Sequence, residues 1–319
     1  MGLVRPDEPV RIVPLTGGVS SLIARVETPS SVFCVKQARP KLQVAADWTA
    51  PVERNHAEVA WFKRCAAIAP DAVPRLLAED PGRYAFAMEY FDPAAFTVWK
   101  EALLDDRVDP DVAAAVGATL AAVHAATADD AEVAAAFPND DAFEALRLDP
   151  YFGEAARRHP DVAPVLHALT ERTRRTRRAL VHGDVSPKNI LVGEGRVVLL
   201  DAECATYGDP AFDVAFCLNH LLLKSVHRPA SAAAYLKSFR VLARTYFDGV
   251  TWEPVEALEA RVSSLLPALL LARVDGKSPV EYLVGDDDAR RLVRNTARCR
   301  LADLPTRLDS FDSFGSLAA

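Results

Sequence analysis

Three side chains with oxygen donors lie close together in the sequence: Asp184 and Asn189, spaced D-x-x-x-x-N, and Asp201, which ends an apolar run. In this arrangement an aspartate can take up the proton of an attacking hydroxyl, while an asparagine and a second aspartate hold a magnesium ion against phosphate oxygens. We therefore predict phosphoryl transfer from ATP, with Asp184 as the catalytic base and Asn189 and Asp201 as ligands of Mg²⁺.

The segment between these metal ligands is typical of a β-hairpin. Residues 190–192 and 197–200 are apolar strands, and residues 193–196 (Gly-Glu-Gly-Arg) form the turn between them. Glu203 follows Asp201 by two residues, which in an extended segment places both carboxylates on one side. We predict Glu203 as a further metal ligand, and the alternative is an outward, solvated glutamate.

Residues 11–39 predict three strands, with a glycine-containing loop at residues 15–21 between the first two. Gly17 and Gly18 would let backbone amides approach the phosphates of ATP, and Ser20 or Ser21 would add hydroxyl donors. A Gly-Gly pair would equally suit an ordinary hairpin turn.

The third of these strands carries Lys36, which we predict to reach the α- and β-phosphates. A helix predicted over residues 52–67 carries Glu58 in its middle, where its carboxylate would fix the Lys36 ammonium. Glu53 is the competing partner, and two unrelated surface charges are the alternative.

Residues 84–90 predict a strand leading to a short linker at 88–91, where the carbonyl of Glu89 and the amide of Phe91 would receive adenine. Lys188, inside the catalytic loop, is a candidate to contact the γ-phosphate. We predict structural roles for His182 and Asp213, which would hold the catalytic loop.

Two polar clusters are candidates for the acceptor pocket. The first is His220 with Lys224, on a helix that begins near Asp213, and the second comprises Arg273, Asp275 and Lys277, where Gly276 and Pro279 interrupt an apolar helix. Such a break often faces a cleft, but a helix C-cap with surface charges is equally expected. The chain lacks the dense acidic stripe that a polycationic acceptor would need, so a polyol or sugar-like acceptor fits better.

The composition is that of an ordinary globular protein. Of 319 residues, 50% are hydrophobic and 25% are charged, and the net charge of −7 argues against a nucleic-acid partner. The arginine-rich stretch 172–178 is expected to be a solvated helix face. Five cysteines without a C-x-x-C pair, and no leader-like or membrane-spanning apolar stretch, predict a cytoplasmic protein with no membrane partner.

The order of the predicted elements is a small β-rich part followed by helices at 112–126, 164–179, 212–224, 231–247, 254–274 and 288–300. This order predicts an α+β, bilobal fold. Residues 1–91 would form the nucleotide-binding lobe, and residues 92–319 would form a helical lobe with the catalytic loop, the metal ligands and the acceptor pocket.

The motif His182–Val192 (HGDVSPKNILV), the triplet Asp201-Ala202-Glu203 and the stretch 207–213 (YGDPAFD) resemble the aminoglycoside phosphotransferase family, whose relatives include choline kinase and methylthioribose kinase. The resemblance covers nearly the whole chain and implies a protein-kinase-like fold. The Asp-x-Glu triplet is similar to that of methylthioribose kinase, whereas aminoglycoside enzymes usually show Asp-Phe-Gly or Asp-x-x-Asp.

Taken together, these patterns predict an ATP- and Mg²⁺-dependent kinase that phosphorylates a hydroxyl of a small, sugar-like metabolite, as a monomer or homodimer. Aminoglycoside O-phosphorylation is the alternative within the enzymes. A nucleotide-binding pseudokinase scaffold is the alternative outside them.

Overall fold

The computed structural model describes residues 1–15, 20–41, 49–312 and 314. The predicted phosphate-binding glycines, Gly17 and Gly18, therefore lie outside the described residues.

A five-stranded antiparallel sheet forms the first part of the chain, with the strand order β1-β2-β3-β5-β4. Its central strand β3 pairs Lys36 with Ile23 on one side and with Phe86 on the other. β2 and β3 match the predicted strands closely, whereas β4 was not predicted. The strands are β1 (Arg11–Pro14), β2 (Ser21–Glu27), β3 (Val32–Ala38), β4 (Leu76–Asp80) and β5 (Ala85–Glu89).

Helix α1 (Arg54–Ala66) packs against this sheet. Trp61, Phe62 and Cys65 are fully buried, as expected for the apolar face of an amphipathic helix. Arg54 and Glu58 are buried as well. Charged side chains are rarely buried unless they are paired, so we expect Arg54 and Glu58 each to have a specific partner of opposite charge.

Short strands and helices make up the remainder of the chain. The strands are β6 (Phe96–Val98), β7 (Ala179–Val181), β8 (Ile190–Gly193), β9 (Arg196–Leu199) and β10 (Thr206–Gly208). The helices are α2 (Trp99–Leu104), α3 (Pro110–Thr127), α4 (Ala131–Ala136), α5 (Asp140–Phe143), α6 (Glu154–Arg158), α7 (Ala163–Arg175), α8 (Pro210–His227), α9 (Ala232–Asp248), α10 (Val255–Asp275) and α11 (Asp287–Ala302).

Helices α8 and α10 form the centre of the helical part. Nearly every residue of α8 is buried, and α8 packs against α9 and α10. A helix that is buried on all sides belongs in the interior of a large domain. Pro267 does not end α10, which runs unbroken from Val255 to Asp275.

The predicted hairpin is present as β8 and β9, with a tighter turn than expected. Glu194 and Gly195 both have positive φ, 50° and 72°, so the turn contains two residues rather than four. The amide of Leu200 donates to the carbonyl of Asn189 at 2.8 Å. This bond closes the base of the hairpin and brings the segment before Asp201 back to Asn189.

The predicted helix 164–179 ends early, at Arg175, because Ala179 already begins β7. Most of its arginines pair with acidic neighbours at the surface, for example Arg174 with Glu144 at 2.8 Å. In the described part of the chain, no helix combines the length and apolar character needed to cross a membrane.

A tight contact between α3 and α9 gives a first testable prediction. A Cβ on Gly117 would lie 2.6 Å from the backbone oxygen of Leu242, so Gly117→Ala forces the two helices apart. Overpacking of this kind costs roughly 1–3 kcal/mol and exceeds the gain of up to ~1 kcal/mol in helix propensity. We expect a lower free energy of unfolding in urea.

Gly82→Ala is the matched control, because its Cβ would meet only the Asp80 carboxylate, at 3.7 Å. Equal stability of the Gly117→Ala variant and the control would show that the α3–α9 contact is looser than described.

Candidate active site

The carboxylate of Asp213, in the first turn of α8, holds the loop that carries Asp184. It accepts the amide of His182 at 2.7 Å and the amide of Gly183 at 2.8 Å, as predicted from its position at the helix start. Gly183 has φ +77°, and a Cβ there would lie 2.7 Å from the carbonyl oxygen of Cys204. The loop thus requires glycine immediately before Asp184, and it requires a buried carboxylate that accepts its backbone amides.

His182 braces the same loop from within. Its Nδ1 accepts the amide of Asp184 at 3.2 Å, and its Nε2 lies 3.1 Å from the carbonyl of Leu200, to which it donates. Burial lowers the pKa of His182, which keeps the ring neutral. These contacts agree with the structural role that we expected.

The buried carboxylate of Asp184 meets three cationic or amide donors at Oδ2. These are Nη2 of Arg147 at 2.6 Å, Nδ2 of Asn189 at 2.8 Å and Nζ of Lys188 at 3.3 Å. The side chain of Lys188 is half exposed, and the charge of Asp184 raises its pKa. The structure thus brings together the predicted base, one predicted metal ligand and the loop lysine.

Arg147 is a site residue that the sequence analysis missed. It lies in the π-helical segment Glu144–Gly153, whose ladder is interrupted by Pro150, and it also donates to the carbonyls of Gly183 and Leu146. Burial opposes its charge, but Asp184 together with Cys204, Tyr151 and Glu203 raises the pKa of Arg147. A single arginine between Leu146 and Leu148 was the only sequence signal, and it is a weak one.

Lys36 lies between two carboxylates. Its Nζ contacts Glu58 Oε1 at 2.7 Å and Asp201 Oδ1 at 2.5 Å. Burial disfavours the ammonium, but Asp201 and Glu58 together raise the pKa of Lys36. Glu53 instead accepts from the hydroxyl of Tyr84 at 3.4 Å, so it does not compete for the lysine.

The two acids beside Lys36 are not equivalent. Burial raises the pKa of Glu58 to about 7, and the nearby Asp201 carboxylate acts in the same direction, while Lys36 opposes both. The pKa of Asp201 is lowered although burial acts against this, since Lys36 and Lys188 are both close. Asp201 therefore remains the ionised carboxylate, which is the form that a metal requires.

Asn189 and Asp201 have the donors that a Mg²⁺ ion needs. The Asn189 amide nitrogen donates to Asp184, so its oxygen points away from that residue, and Asp201 has φ +66°, which turns it out of the strand direction. Within the described ranges, no three His, Cys, Asp or Glu side chains are arranged to hold a metal ion. A site with few protein ligands suits Mg²⁺, which usually keeps waters and substrate phosphates in its shell.

Glu203 is buried, and its Oε2 accepts from Nε of Arg54 at 2.8 Å, so the alternative of an outward, solvated glutamate is wrong. Its role as a metal ligand stays a prediction. The same guanidinium donates to the carbonyls of Ser20, Arg39 and Ala50 at 2.6, 2.8 and 3.1 Å. Arg54 and Glu203 are far apart in sequence, so no local sequence pattern predicts this ion pair.

The remaining nucleotide candidates lie at the edge of the sheet. Ser20 and Ser21 are buried where β2 begins, and Glu89 ends β5 with its side chain 3.3 Å from Arg196. Phe91 packs edge-on to Phe96, with ring centroids 4.9 Å apart. These contacts place the predicted linker between the sheet and strand β6.

The structure separates the acceptor candidates into two groups. His220, Lys224 and Arg273 lie together where α8 packs on α10, and all three are buried. Asp275 instead accepts from Arg294 at 2.5 Å and from His159 at 2.9 Å, towards α11. Lys277 follows the end of α10, and its amide donates to the carbonyl of Pro150.

Asp275 is therefore removed from our set of acceptor candidates. Its carboxylate is engaged by surface-side partners, which is the helix-cap alternative for this segment. The amide of Gly276 donates to the carbonyl of Ala272, as at an ordinary helix end, and the amide of Lys277 donates to the carbonyl of Pro150 in the π-helical segment.

Comparisons with known proteins agree with this geometry. Residues 11–223 match the model of the phosphotransferase enzyme family. A methylthioribose kinase of Pectobacterium atrosepticum is 25% identical over 282 residues, which cover 77% of this chain and 70% of that protein.

Solved structures share the fold at low sequence identity. A choline/ethanolamine kinase family protein from Mesorhizobium loti aligns with a TM-score of 0.51 and 17% identity over 97% of this chain and 92% of that chain. The amicoumacin kinase hAmiN, in complex with AMP-PNP, Ca²⁺ and Ami, aligns with a TM-score of 0.57 and 12% identity over 95% and 91%. The predicted resemblance and the predicted α+β kinase-like fold are thereby confirmed.

The Arg54–Glu203 pair gives a prediction about stability. Arg54→Met leaves Glu203 buried without its cation, which typically costs about 3–5 kcal/mol. We expect Arg54→Met to be strongly destabilised, and the double variant Arg54→Met/Glu203→Gln to regain at least ~1 kcal/mol, measured by urea unfolding without nucleotide.

If the losses of unfolding free energy in Arg54→Met and Glu203→Gln simply add up to the loss in the double variant, the two charges do not interact. Lys63→Met, on the exposed face of the same helix and paired with Glu79 at 2.8 Å, is the matched control and should change stability by at most ~1 kcal/mol.

Proposed function

The chain belongs to the phosphotransferase enzyme family and is a small-molecule kinase, and we propose that it transfers the γ-phosphate of ATP to a hydroxyl of a polyol with the help of Mg²⁺. The observation that carries this proposal is that four side chains are connected. Lys36 contacts Asp201, Asn189 donates to Asp184, and the backbone bond from Leu200 to Asn189 joins the two pairs. A pseudokinase scaffold would have no need of all four side chains.

Asp184 is our candidate for the base. The acceptor oxygen forms a bond to the γ-phosphorus while the bond from that phosphorus to the bridging oxygen of ADP breaks, and the hydroxyl proton passes to Asp184. The contacts from Arg147, Asn189 and Lys188 all go to Oδ2 and hold the carboxylate in a fixed orientation. We assign Oδ1 to the acceptor hydroxyl and a positioning role to Arg147.

Asn189 and Asp201 are our candidates for holding Mg²⁺, which would neutralise charge on the phosphates when bound. Lys36 would then exchange one carboxylate contact for the α- and β-phosphates, while Glu58 keeps its ammonium in place. Ser20, Ser21, Glu89 and Phe91 remain candidates for the nucleotide, and Lys188 for the γ-phosphate. Residues 1–91 would accordingly be the nucleotide-binding lobe and residues 92–319 the acceptor lobe.

A sugar-like acceptor is favoured by the relatives. The curated relative is named a methylthioribose kinase, whose acceptor is a sugar, and it aligns along most of its length. An aminoglycoside acceptor, which carries several positive charges, is disfavoured because Lys224 and Arg273 lie on the acceptor side. Like charges in a buried pocket would repel it.

Replacement of the base tests the proposed chemistry. Asp184→Asn keeps the shape of the side chain and removes its ability to accept a proton, so we expect kcat to fall roughly 10²–10⁴-fold. Binding of MgATP should change little, because the nucleotide is held by other residues. Steady-state ADP release and calorimetry measure the two quantities.

Asp141→Asn, at an exposed position of α5, is the matched control and should be fully active. Retention of more than a third of wild-type turnover by a correctly folded Asp184→Asn variant would exclude Asp184 as the base.

The metal assignment gives a separate prediction. Asp201→Asn should weaken the Mg²⁺ dependence of ATP binding strongly, since it removes the ionised ligand. Glu203→Gln should affect stability through Arg54 and alter that dependence little. Calorimetric titration of ATP at several Mg²⁺ concentrations distinguishes them, and equal small effects would place the metal elsewhere.

A further inference from the structure

The helical part of the chain contains a group of buried polar side chains that lack partners. Among the described residues, Lys224 Nζ, both ring nitrogens of His220, both side-chain polar atoms of Asn219 and the hydroxyl of Tyr282 have no hydrogen-bond partner. His220 and Lys224 are four residues apart on α8 and so share one face of the helix. We call the group of His220, Lys224, Arg273 and Tyr282 the cationic pocket.

Contacts between neighbouring side chains define this pocket. Lys224 Nζ lies 4.5 Å from the centre of the Tyr282 ring, and the rings of His220 and Phe216 are 5.5 Å apart. Arg273 reaches the hydroxyl of Tyr151 at 3.1 Å, and the Tyr151 ring lies 5.6 Å from that of Phe216.

The same contacts lead from the pocket to the proposed base. The guanidinium of Arg147, which contacts Asp184 at 2.6 Å, lies 6.0 Å from the centre of the Phe216 ring. The charge of Lys188, which also contacts Asp184, is close enough to His220 to contribute to lowering its pKa. A chain of side-chain contacts through Phe216 and Arg147 therefore connects the cationic pocket to Asp184, where an acceptor hydroxyl would react.

Positive charge exceeds negative charge in this region. Lys100, Lys188, Lys224 and Arg273 all contribute, besides burial, to lowering the pKa of His220. The nearby carboxylate that raises the pKa of Lys224, Glu281, is itself paired with Lys100 at 2.9 Å and is 62% exposed. In the described part of the chain, neither Lys224 nor Arg273 forms a salt bridge.

Because a buried ammonium without a partner is costly, proteins rarely keep one without a use for it. Burial is the main cause that lowers the pKa of Lys224, to about 7, so the side chain is easily charged again when an anion arrives. Arg273 already has its Nη1 fixed by Tyr151 and by the backbone and hydroxyl oxygens of Ser278. Its Nε is buried and has no partner in the described ranges.

We propose that the acceptor carries an acidic group, a carboxylate or a phosphate, that binds in the cationic pocket between Lys224, His220 and Arg273 while its hydroxyl faces Asp184. This inference rests on the proposed kinase function and narrows its substrate class to hydroxylated acids. An anion there would satisfy the unpartnered donors of Lys224, Tyr282 and Arg273 at once. Neutral polyols and cationic amino alcohols would leave them unsatisfied.

Initial-rate kinetics at saturating MgATP test the inference with acceptors matched in shape and different in charge. The pairs are glycerate with glycerol, gluconate with glucitol and ribose 5-phosphate with ribose, and choline serves as a cation. We expect ADP release with an acid of at least one pair, with a kcat/KM at least tenfold above that of its neutral partner. Carboxylate and phosphate pairs separate the two kinds of acid.

Lys224→Met removes the charge and retains most of the side-chain volume. With the acid that is turned over, we expect its KM to rise roughly 10- to 100-fold, while the KM for ATP, which is bound by other residues, changes little. Lys237→Met, at an exposed position of α9, is the matched control and should behave as the wild type. His220→Gln provides a second variant should Lys224→Met fail to fold.

The outcomes separate this inference from the proposed function. Turnover of a neutral polyol or of choline with a kcat/KM equal to or above that of every acid would leave a kinase and overturn the acidic acceptor. An unchanged KM for the acid in both Lys224→Met and His220→Gln would also overturn it. Failure of the protein to bind MgATP would instead remove the proposed function.

Discussion

Much of the described structure depends on ion pairs between carboxylates and the cationic side chains that compensate their charge. Asp184 is compensated by Arg147 from the π-helical segment, and Asp201 by Lys36 from the sheet. A buried ion that loses its partner is far more costly than an exposed one, so each pair fixes the distance between two separate parts of the chain. The Lys36–Asp201 pair is one contact that joins the sheet to the later part of the chain, and the apolar core extends across both.

The charges of Asp184 and Asp201 have cationic partners, whereas polar groups of the cationic pocket lack partners among the described residues. Asp213 is a useful contrast with Lys224, since both are fully buried on α8. Asp213 accepts two backbone amides, whereas Lys224 faces only an aromatic ring among the described residues. Side chains near a reaction centre that keep unsatisfied donors are expected where a substrate completes the network.

The sequence was informative wherever the physical cause is local. Alternating apolar residues predicted β2 and β3. Asp184 and Asn189 are five residues apart in one loop, so the short spacing alone predicts that their side chains lie close together. The hairpin predicted the return of Asp201 to Asn189. Strand β4 was missed because its five residues lie between prolines and charged residues and show little alternation.

Contacts across long stretches of sequence could not be predicted in this way. Arg147 meets Asp184, and Arg54 meets Glu203, through the fold alone. The two-residue spacing of Asp201 and Glu203 suggested two carboxylates on one side of an extended segment, but the segment is not extended at Asp201, whose φ is +66°. Two of the acceptor candidates, His220 and Lys224, share one face of α8, as their spacing of four residues predicts, whereas the direction of Asp275 depended on where α11 packs.

The guanidinium of Arg54 joins parts of the chain that are far apart in sequence. It binds the carbonyls of Ser20, Arg39 and Ala50, which lie just before β2, just after β3 and shortly before α1. The same side chain is paired with Glu203, two residues after Asp201. Only arginine offers five donors in one planar fork, whereas lysine offers three donors on a single point charge. Lysine at this position would therefore keep the positive charge and still leave backbone carbonyls without a partner.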